Sequence, residues 1–304
     1  MFEFSDVERI EVVKGPQGTL YGRNATGGAI RVVTKDVDDE FGGSLSVSAG
    51  NYNYYNFSGT VSVPISDTFG ARITALTKQR DGYVDNIFPG GKSELDDEDF
   101  KAFRGKFRWE MADNTTARLT LDYWERNDLY GIDVVDLSPP GLNTGIVAGG
   151  ISGASRDKAA TAINEKNEGD EFSAQLRFDV VLDYFDVVSV TTYSELEQVF
   201  GTDADGTSTA VVDAYASEDE DAFSQEFQLV SNDGESLEWL LGAYFYNSDA
   251  NYDAQVDVGL PFIISQSLQN VETTAWAVFG QATWNFSENW AVTLGGRWNE
   301  EKKR

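Results

Sequence analysis

The sequence predicts an all-β fold, an antiparallel membrane-spanning β-barrel, on three observations. Apolar and polar side chains alternate through segment after segment, the segments are long, and the connections between them sort by length. Alternation with period two marks a strand, because successive side chains point to opposite faces. In AFRGKFRWEM, Phe103, Gly105, Phe107, Trp109 and Met111 share one face, and Ala102, Arg104, Lys106, Arg108 and Glu110 share the other. In ARLTLDYW, Ala117, Leu119, Leu121 and Tyr123 oppose Arg118, Thr120, Asp122 and Trp124. FSAQLRFDVVL and YNFSGTVSV repeat the pattern.

About eleven such strands are predicted, near 43–50, 53–65, 69–81, 98–112, 114–127, 168–183, 185–200, 218–232, 236–252, 270–287 and 289–302. Many match or exceed the ~9–11 residues that cross a bilayer at a tilt. ISDTF, MADNT, LDYFD, SNDGES and FSENW read as tight turns. Long loops are expected at 82–97, 128–167, 201–217 and 253–269, with GNYN near Gly50 short where a long one is due. Short turns at one end and long loops at the other are the layout of an outer-membrane barrel. Aromatic residues near strand ends are expected to form its two girdles: Tyr54, Tyr55, Trp109, Tyr123, Trp124, Tyr184, Phe185, Trp239, Trp276, Trp284, Phe286, Trp290 and Trp298. Cross-strand packing in a soluble sheet is the plainer reading of the same rings.

Composition removes several function classes. The 304 residues hold no Cys and no His, which excludes disulfides, thiolate or imidazole metal sites, and Ser-His or Cys-His catalysis. A net charge of −28 argues against binding nucleic acid through its phosphates. No apolar run approaches the ~18 residues of a membrane helix. Glu195 and Glu197 could pair as in a glycosidase, but acids are so abundant that chance pairs are expected, so no enzyme is read here. DADG at 203–206 lacks the later acids of a Ca²⁺ loop. The acidic stretches 94–99 and 218–221 could bind divalent ions weakly or simply be a solvated surface; no resident metal or cofactor is read.

The first 35 residues differ from the rest. VERIEVVKGPQGTLYGRNATGGAIRVVTK sets two β-branched runs around Gly15, Gly18, Gly22, Gly27 and Gly28. Neither a P-loop nor a dinucleotide fingerprint has this spacing, and no amphipathic helix follows. The stretch therefore predicts a compact strand–loop–strand unit. The block Glu8 to Pro16, then Leu20-Tyr21-Gly22, then Gly27 to Lys35, resembles the C-terminal end of the plug domain in TonB-dependent outer-membrane receptors. The segments FSGTVSVPIS and WAVFGQATWNFSENWAVTLGGRWNEEKK resemble barrel hairpins of the same family, so the resemblance spans essentially the whole chain.

The resemblance implies residues 1–38 as the end of a plug and 39–304 as about half of a 22-stranded barrel. An odd strand count and an unpaired last strand lead to the expectation that the chain is truncated at both ends. The plug motif residues Gly15, Pro16, Gly18, Leu20, Tyr21, Gly22, Gly27 and Gly28 are expected to be structural. Arg9, Lys14, Arg23, Arg31 and Lys35 are candidates for pairing with inward-facing acids such as Glu110, Asp122 or Asp179, holding the plug in place. The function implied is active uptake of a scarce solute across the outer membrane of a Gram-negative bacterium, with energy from a TonB-type protein of the inner membrane. The cargo implied is a ferric siderophore, with carbohydrate or cobalamin as alternatives; the fragment alone is expected to be inactive. A passive porin or surface-binding barrel would explain the strands but not residues 7–35. Tyr83, Phe88, Tyr130 and Tyr215 are weak loop candidates for touching a ligand, and the outer surface is expected to meet lipid.

Overall fold

The computed structural model describes residues 6–15, 18–21, 27–89, 91–129, 158–161, 166–203, 207–208, 212–232, 236–258 and 263–304. It opens with an antiparallel hairpin of β1 (Val7–Lys14) and β2 (Gly28–Thr34), with Val12 opposite Ile30 and Val13 opposite Ala29. Between them lies a single helical turn, α1 (Gly18–Tyr21). The hairpin is closed at its loop end by the Gly15 N–H donating to the Gly27 carbonyl at 3.1 Å. It is closed at its base by the Lys35 N–H donating to the Asp6 carbonyl at 3.0 Å. Gly15 has φ 85° and Gly28 φ 147°, and a Cβ on Gly28 would fall 2.4 Å from the Val13 carbonyl oxygen. Only glycine serves at Gly28 without moving the ladder.

After a linker the chain forms β3 (Gly42–Ala49), β4 (Tyr55–Ser66) and β5 (Phe69–Arg80). Short strands β6 (Val84–Asn86) and β7 (Glu94–Leu95) interrupt before β8 (Glu98–Ala112) and β9 (Thr115–Asp128). β10 (Lys158–Ala159) precedes β11 (Lys166–Val181), β12 (Phe185–Asp203), β13 (Val212–Ser231), β14 (Leu237–Val258), β15 (Ile263–Ser287) and β16 (Trp290–Lys303). Eleven strands make one antiparallel sheet in chain order from β3 to β16, skipping only β6, β7 and β10. β3 and β16 are its edges.

Three stretches read from sequence as loops are built otherwise. Within 82–97, β6 and β7 pair with each other, and β10 adds a parallel strand to β6. Most of 201–217 and 253–269 is strand: Asp203 still pairs with Asp213, and Val258 with Ile263. The pattern inverts there, with Asp253, Gln255 and Asp257 on the outer face and Ala254 and Val256 on the inner one, so the apolar outer face that marks the other strands is missing while the backbone ladder continues.

The two faces of the sheet differ sharply. Leu45, Phe57, Phe103, Trp109, Phe227, Leu241, Trp284 and Leu294 stand exposed on the outer face. On β12 to β16 this apolar band stops at Tyr193, Phe223, Phe245, Trp276 and Trp298, where Phe223 lies 6.4 Å from Phe245 and Trp276 lies 4.3 Å from Trp298. Beyond those rings the outer face carries Glu195, Asp221, Asp249, Glu272 and Glu300, each displaced by two residues or more along its strand. This is the profile of a lipid-facing band with an aromatic rim. Trp124, counted from sequence in a girdle, instead faces inward. It packs on Phe100 at 6.3 Å and donates its indole N–H to Glu171 at 2.7 Å. It belongs to the buried inner cluster of Leu76, Phe100 and Ala102, with Leu196 against it.

The sheet curls around the hairpin. α1 touches β15 and β16, and Asp6 at the hairpin base reaches Arg72 on β5. β5 and β16 are eight strand spacings apart in the sheet order. Laid flat, those spacings would be ~38 Å, more than the ~27 Å length of β1.

Candidate functional site: a charged junction at the base of the hairpin

The junction is where the hairpin and the linker Lys35 to Phe41 meet the inner faces of β5, β8, β9 and β11. Register puts Arg72, Lys106, Thr120, Arg118 and Asp122 on the inward side, since Arg72 lies opposite Lys106, Lys106 opposite Thr120, and Arg104 opposite Asp122. The alternating run Arg104, Lys106, Arg108 on β8 therefore aims three cations into the same space.

Carboxylates from the hairpin base and linker answer them. The Arg72 guanidinium donates to both carboxylate oxygens of Asp6, at 2.7 and 2.5 Å, and to Asp38 at 2.6 Å. Side-chain exposure is 6% for Arg72 and 4% for Asp6, so this pair is desolvated, while Asp38 is half exposed. The Thr74 hydroxyl also donates to Asp6, and the Asp38 N–H donates to the Ser62 hydroxyl at 2.9 Å. Arg108 donates to the Val37 carbonyl at 3.0 Å and pairs with Asp39. Arg118 pairs with Asp36 at 3.0 Å and with Asp179 at 2.6 Å, and Arg177 grips the same Asp179. Lys106 has a different task. Its ammonium donates to the carbonyls of Thr34 and Lys35, at 3.1 and 2.7 Å, capping the end of β2.

Burial alone would push the Asp6 carboxyl up, but its hydrogen bonds to Arg72 and Thr74 and the Arg72 charge outweigh burial and hold it below its ordinary value. Asp36 is likewise held low against burial by the Val37 N–H and by Arg118. Both stay ionised, and charge-assisted, partly bidentate pairs of this kind are the strong ones.

The pairing expected from sequence ran the other way. Arg9 instead pairs with Glu8 and Glu11 at 2.9 and 2.7 Å, and Arg31 with Glu11 at 3.5 Å, all inside the hairpin. Of the wall acids, Asp122 holds Arg104, Asp179 holds Arg118 and Arg177, and Glu110 lies beside Arg108. Lys14 sits opposite Gly28 in the ladder, and Lys35 contributes its backbone to the junction. The cations of the contact are mainly on the wall and the anions on the linker. Asp36-Val37-Asp38-Asp39 passed unremarked as a connector. The signal was the row Arg104, Lys106, Arg108 on one inward face, a concentration of cations that calls for counter-charge from another element.

Of the remaining candidates, Gly15 and Gly28 take positive φ at the mouth of the hairpin, and Gly18 opens α1. Pro16, Gly22, Arg23 and Tyr130, with the side chains of Leu20 and Tyr21, lie outside the described residues. Tyr83 sits 6.0 Å from Tyr52 with the Arg80 guanidinium 4.8 Å above its ring. Phe88 lies in the turn after β6, its N–H bonded to the Asn86 side chain. Tyr215 is not in a loop but on β13, opposite Gly201 and Gln255.

The fold and the junction define a class: a sheet with an apolar outside that encloses a small domain tethered by charge. Family models agree. Residues 1–29 match the TonB-dependent receptor plug domain, and residues 34–304 match the TonB-dependent receptor-like β-barrel. The chain belongs to the TonB-dependent receptor family. It is 24% identical to the pesticin receptor of Yersinia pestis over 316 residues, 98% of this chain and 42% of that protein. It is 31% identical over 127 residues to the ferrioxamine B receptor of Salmonella typhimurium, covering 41% of this chain and 16% of that one. The solved ferric yersiniabactin uptake receptor FyuA of Yersinia pestis superposes with TM-score 0.73 at 17% identity, over 98% of this chain and 48% of that one. The chain thus spans about half the length of the relatives that match it end to end.

Proposed function

We propose that this chain serves in an outer-membrane receptor that imports a ferric siderophore, powered by a TonB-type protein of the inner membrane. One observation carries the reading: a hairpin is tied by charge to the inner wall of a sheet whose outer face is apolar. A passive pore has no use for a tethered obstruction, whereas a gated importer does. The ferrioxamine B and ferric yersiniabactin receptors named above support siderophore transport rather than carbohydrate or cobalamin. On this reading the chain binds and passes a solute and catalyses no covalent change.

The test is uptake of ⁵⁵Fe-loaded siderophores, ferrioxamine and yersiniabactin among them, by iron-starved cells with and without a receptor of full family length that carries this chain. Uptake of one complex is expected to need both the receptor and the inner-membrane energy transducer. Uptake that persists without the transducer would point to a passive pore. No uptake of any ferric complex, with growth instead restored on a sugar or a cobalamin, would reassign the cargo.

A further inference from the structure

The junction holds more positive charge than the wall itself neutralises. Six cations face it: Arg72, Arg104, Lys106, Arg108, Arg118 and Arg177. The wall supplies three bonded carboxylates, Asp122, Glu110 and Asp179, leaving three positive charges over. Asp6, Asp36, Asp38 and Asp39 then more than cancel them, and all four come from the hairpin base and the linker. This concentration of cations is notable in a chain of net charge −28. The wall also borders a cavity of 640 Å³ between β2, β8, β9 and β11, whose charged lining is balanced at rest: Arg31, Lys106, Arg118 and Arg177 against Glu8, Asp36, Asp113 and Asp179. That volume falls within the usual size of a small-molecule site.

We infer that these wall cations form a transit site for anionic cargo, and that the linker carboxylates occupy it as stand-ins until the hairpin moves. The inference rests on the import reading above. The chemistry is exchange of like for like. A carboxylate or phenolate oxygen of a metal chelate accepts the guanidinium hydrogen bonds that Asp36 and Asp39 accept at rest. Displacement of β2 removes the Thr34 and Lys35 carbonyls from Lys106 and Asp36 from Arg118, so the wall becomes net positive as the path opens. Arg118 and Arg177, sharing Asp179, remain fixed in place to receive the anion. A neutral solute gains no such bonds, and a cationic one meets the surplus of positive charge that the departing linker leaves, so the site selects by charge.

The test is charge selectivity in planar bilayers under a KCl gradient, using a full-length receptor that carries this chain. The triple variant D36N/D38N/D39N removes the stand-ins. Its leak is expected to favour chloride over potassium roughly tenfold, the low end of focusing by a charged, low-dielectric cleft. Added citrate is expected to reduce that leak. Introducing R118Q and R177Q should abolish both the preference and the citrate effect, and R118K with R177K should restore the chloride preference. A leak that favours potassium, a leak that citrate does not touch, or no leak from the triple variant would overturn the inference. Because the readout is ion current, a receptor that still imports iron yet leaks potassium fails this inference alone and leaves the import reading intact.

Discussion

The hairpin meets the two flanks of the sheet by different means. On β5, β8 and β9 it is held by directed charge, with the desolvated Asp6–Arg72 pair at the centre. On β15 and β16 it is met by α1, where a methyl group faces bare backbone: a Cβ placed on Gly295 would stand 3.2 Å from Thr19 Cγ2. Charge fixes position and releases only when its partner is replaced. Packing against a bare backbone fixes distance and lets the surfaces slide. On the proposed import reading, a domain that stays shut at rest and moves when pulled is served by one flank of each kind.

The largest effect should come from the charged flank. Arg72→Met leaves Asp6 buried without its cation, at a cost of about 3–5 kcal/mol by the usual penalty for breaking a buried pair. The half-exposed Asp38 adds little, since screened pairs contribute weakly. Cells carrying the variant in a full-length receptor are expected to become sensitive to bulky antibiotics that the outer membrane normally excludes. Combining it with Asp6→Asn should recover part of the loss, because the buried charge goes as well. A double-mutant cycle on thermal unfolding gives the coupling directly. Independent, additive losses would show that the pair does not hold the hairpin.

Acid separates the flanks more gently. Asp6 and Asp36 both have carboxyls held below the ordinary 3.8 in the folded protein. A group lowered in this way stabilises the fold above its free value, and that stability is lost as pH falls through the folded value. The junction is therefore expected to be unchanged between about pH 5 and 8 and to loosen only below ~3.8. The Thr19–Gly295 contact contains no titrating group and should not respond. Single-channel leak measured from pH 8 to pH 3 tests this; a rise already at pH 6 would mean that other groups hold the hairpin.

Much of this arrangement was legible in the sequence, and the limits have physical causes. The eleven long strands emerged wherever one face is apolar and the other polar, as in Phe103 to Met111. The far parts of β13 and β14 did not, because beyond Phe223 and Phe245 the pattern inverts: polar side chains such as Asp253, Gln255 and Asp257 take the outer face, and no apolar outer face marks the strand. The short strands β6, β7 and β10 could not be found, since a strand of two or three residues shows no period. Gly15 and Gly28 were readable as backbone positions because a close strand–loop–strand unit needs glycine at its mouth. Partners were not: alternation tells which charges point inward, but not which of several inward carboxylates closes on which cation. Only the fold decides that Arg31 answers Glu11 while Arg118 answers Asp36.

The smallest expected effect, on the packed flank, sharpens the comparison most. Gly295 faces inward opposite Gln281, and its neighbour Gly296 faces outward, where an added Cβ meets nothing within 4 Å. Gly295→Ala should therefore ask for a shift of a few tenths of an ångström in α1 and cost under about 1 kcal/mol, against ~1–3 kcal/mol for Gly295→Leu, which overfills the contact. Thr19→Ser removes the methyl group that meets the wall and should restore Gly295→Ala to wild-type behaviour. Gly296→Ala is the matched control and should be neutral or slightly stabilising, since glycine weakens a strand. Thermal unfolding of the four variants in detergent would rank them. If Gly295→Leu proves as harmless as Gly296→Ala, α1 does not bear on β16, and the charged junction holds the hairpin without help.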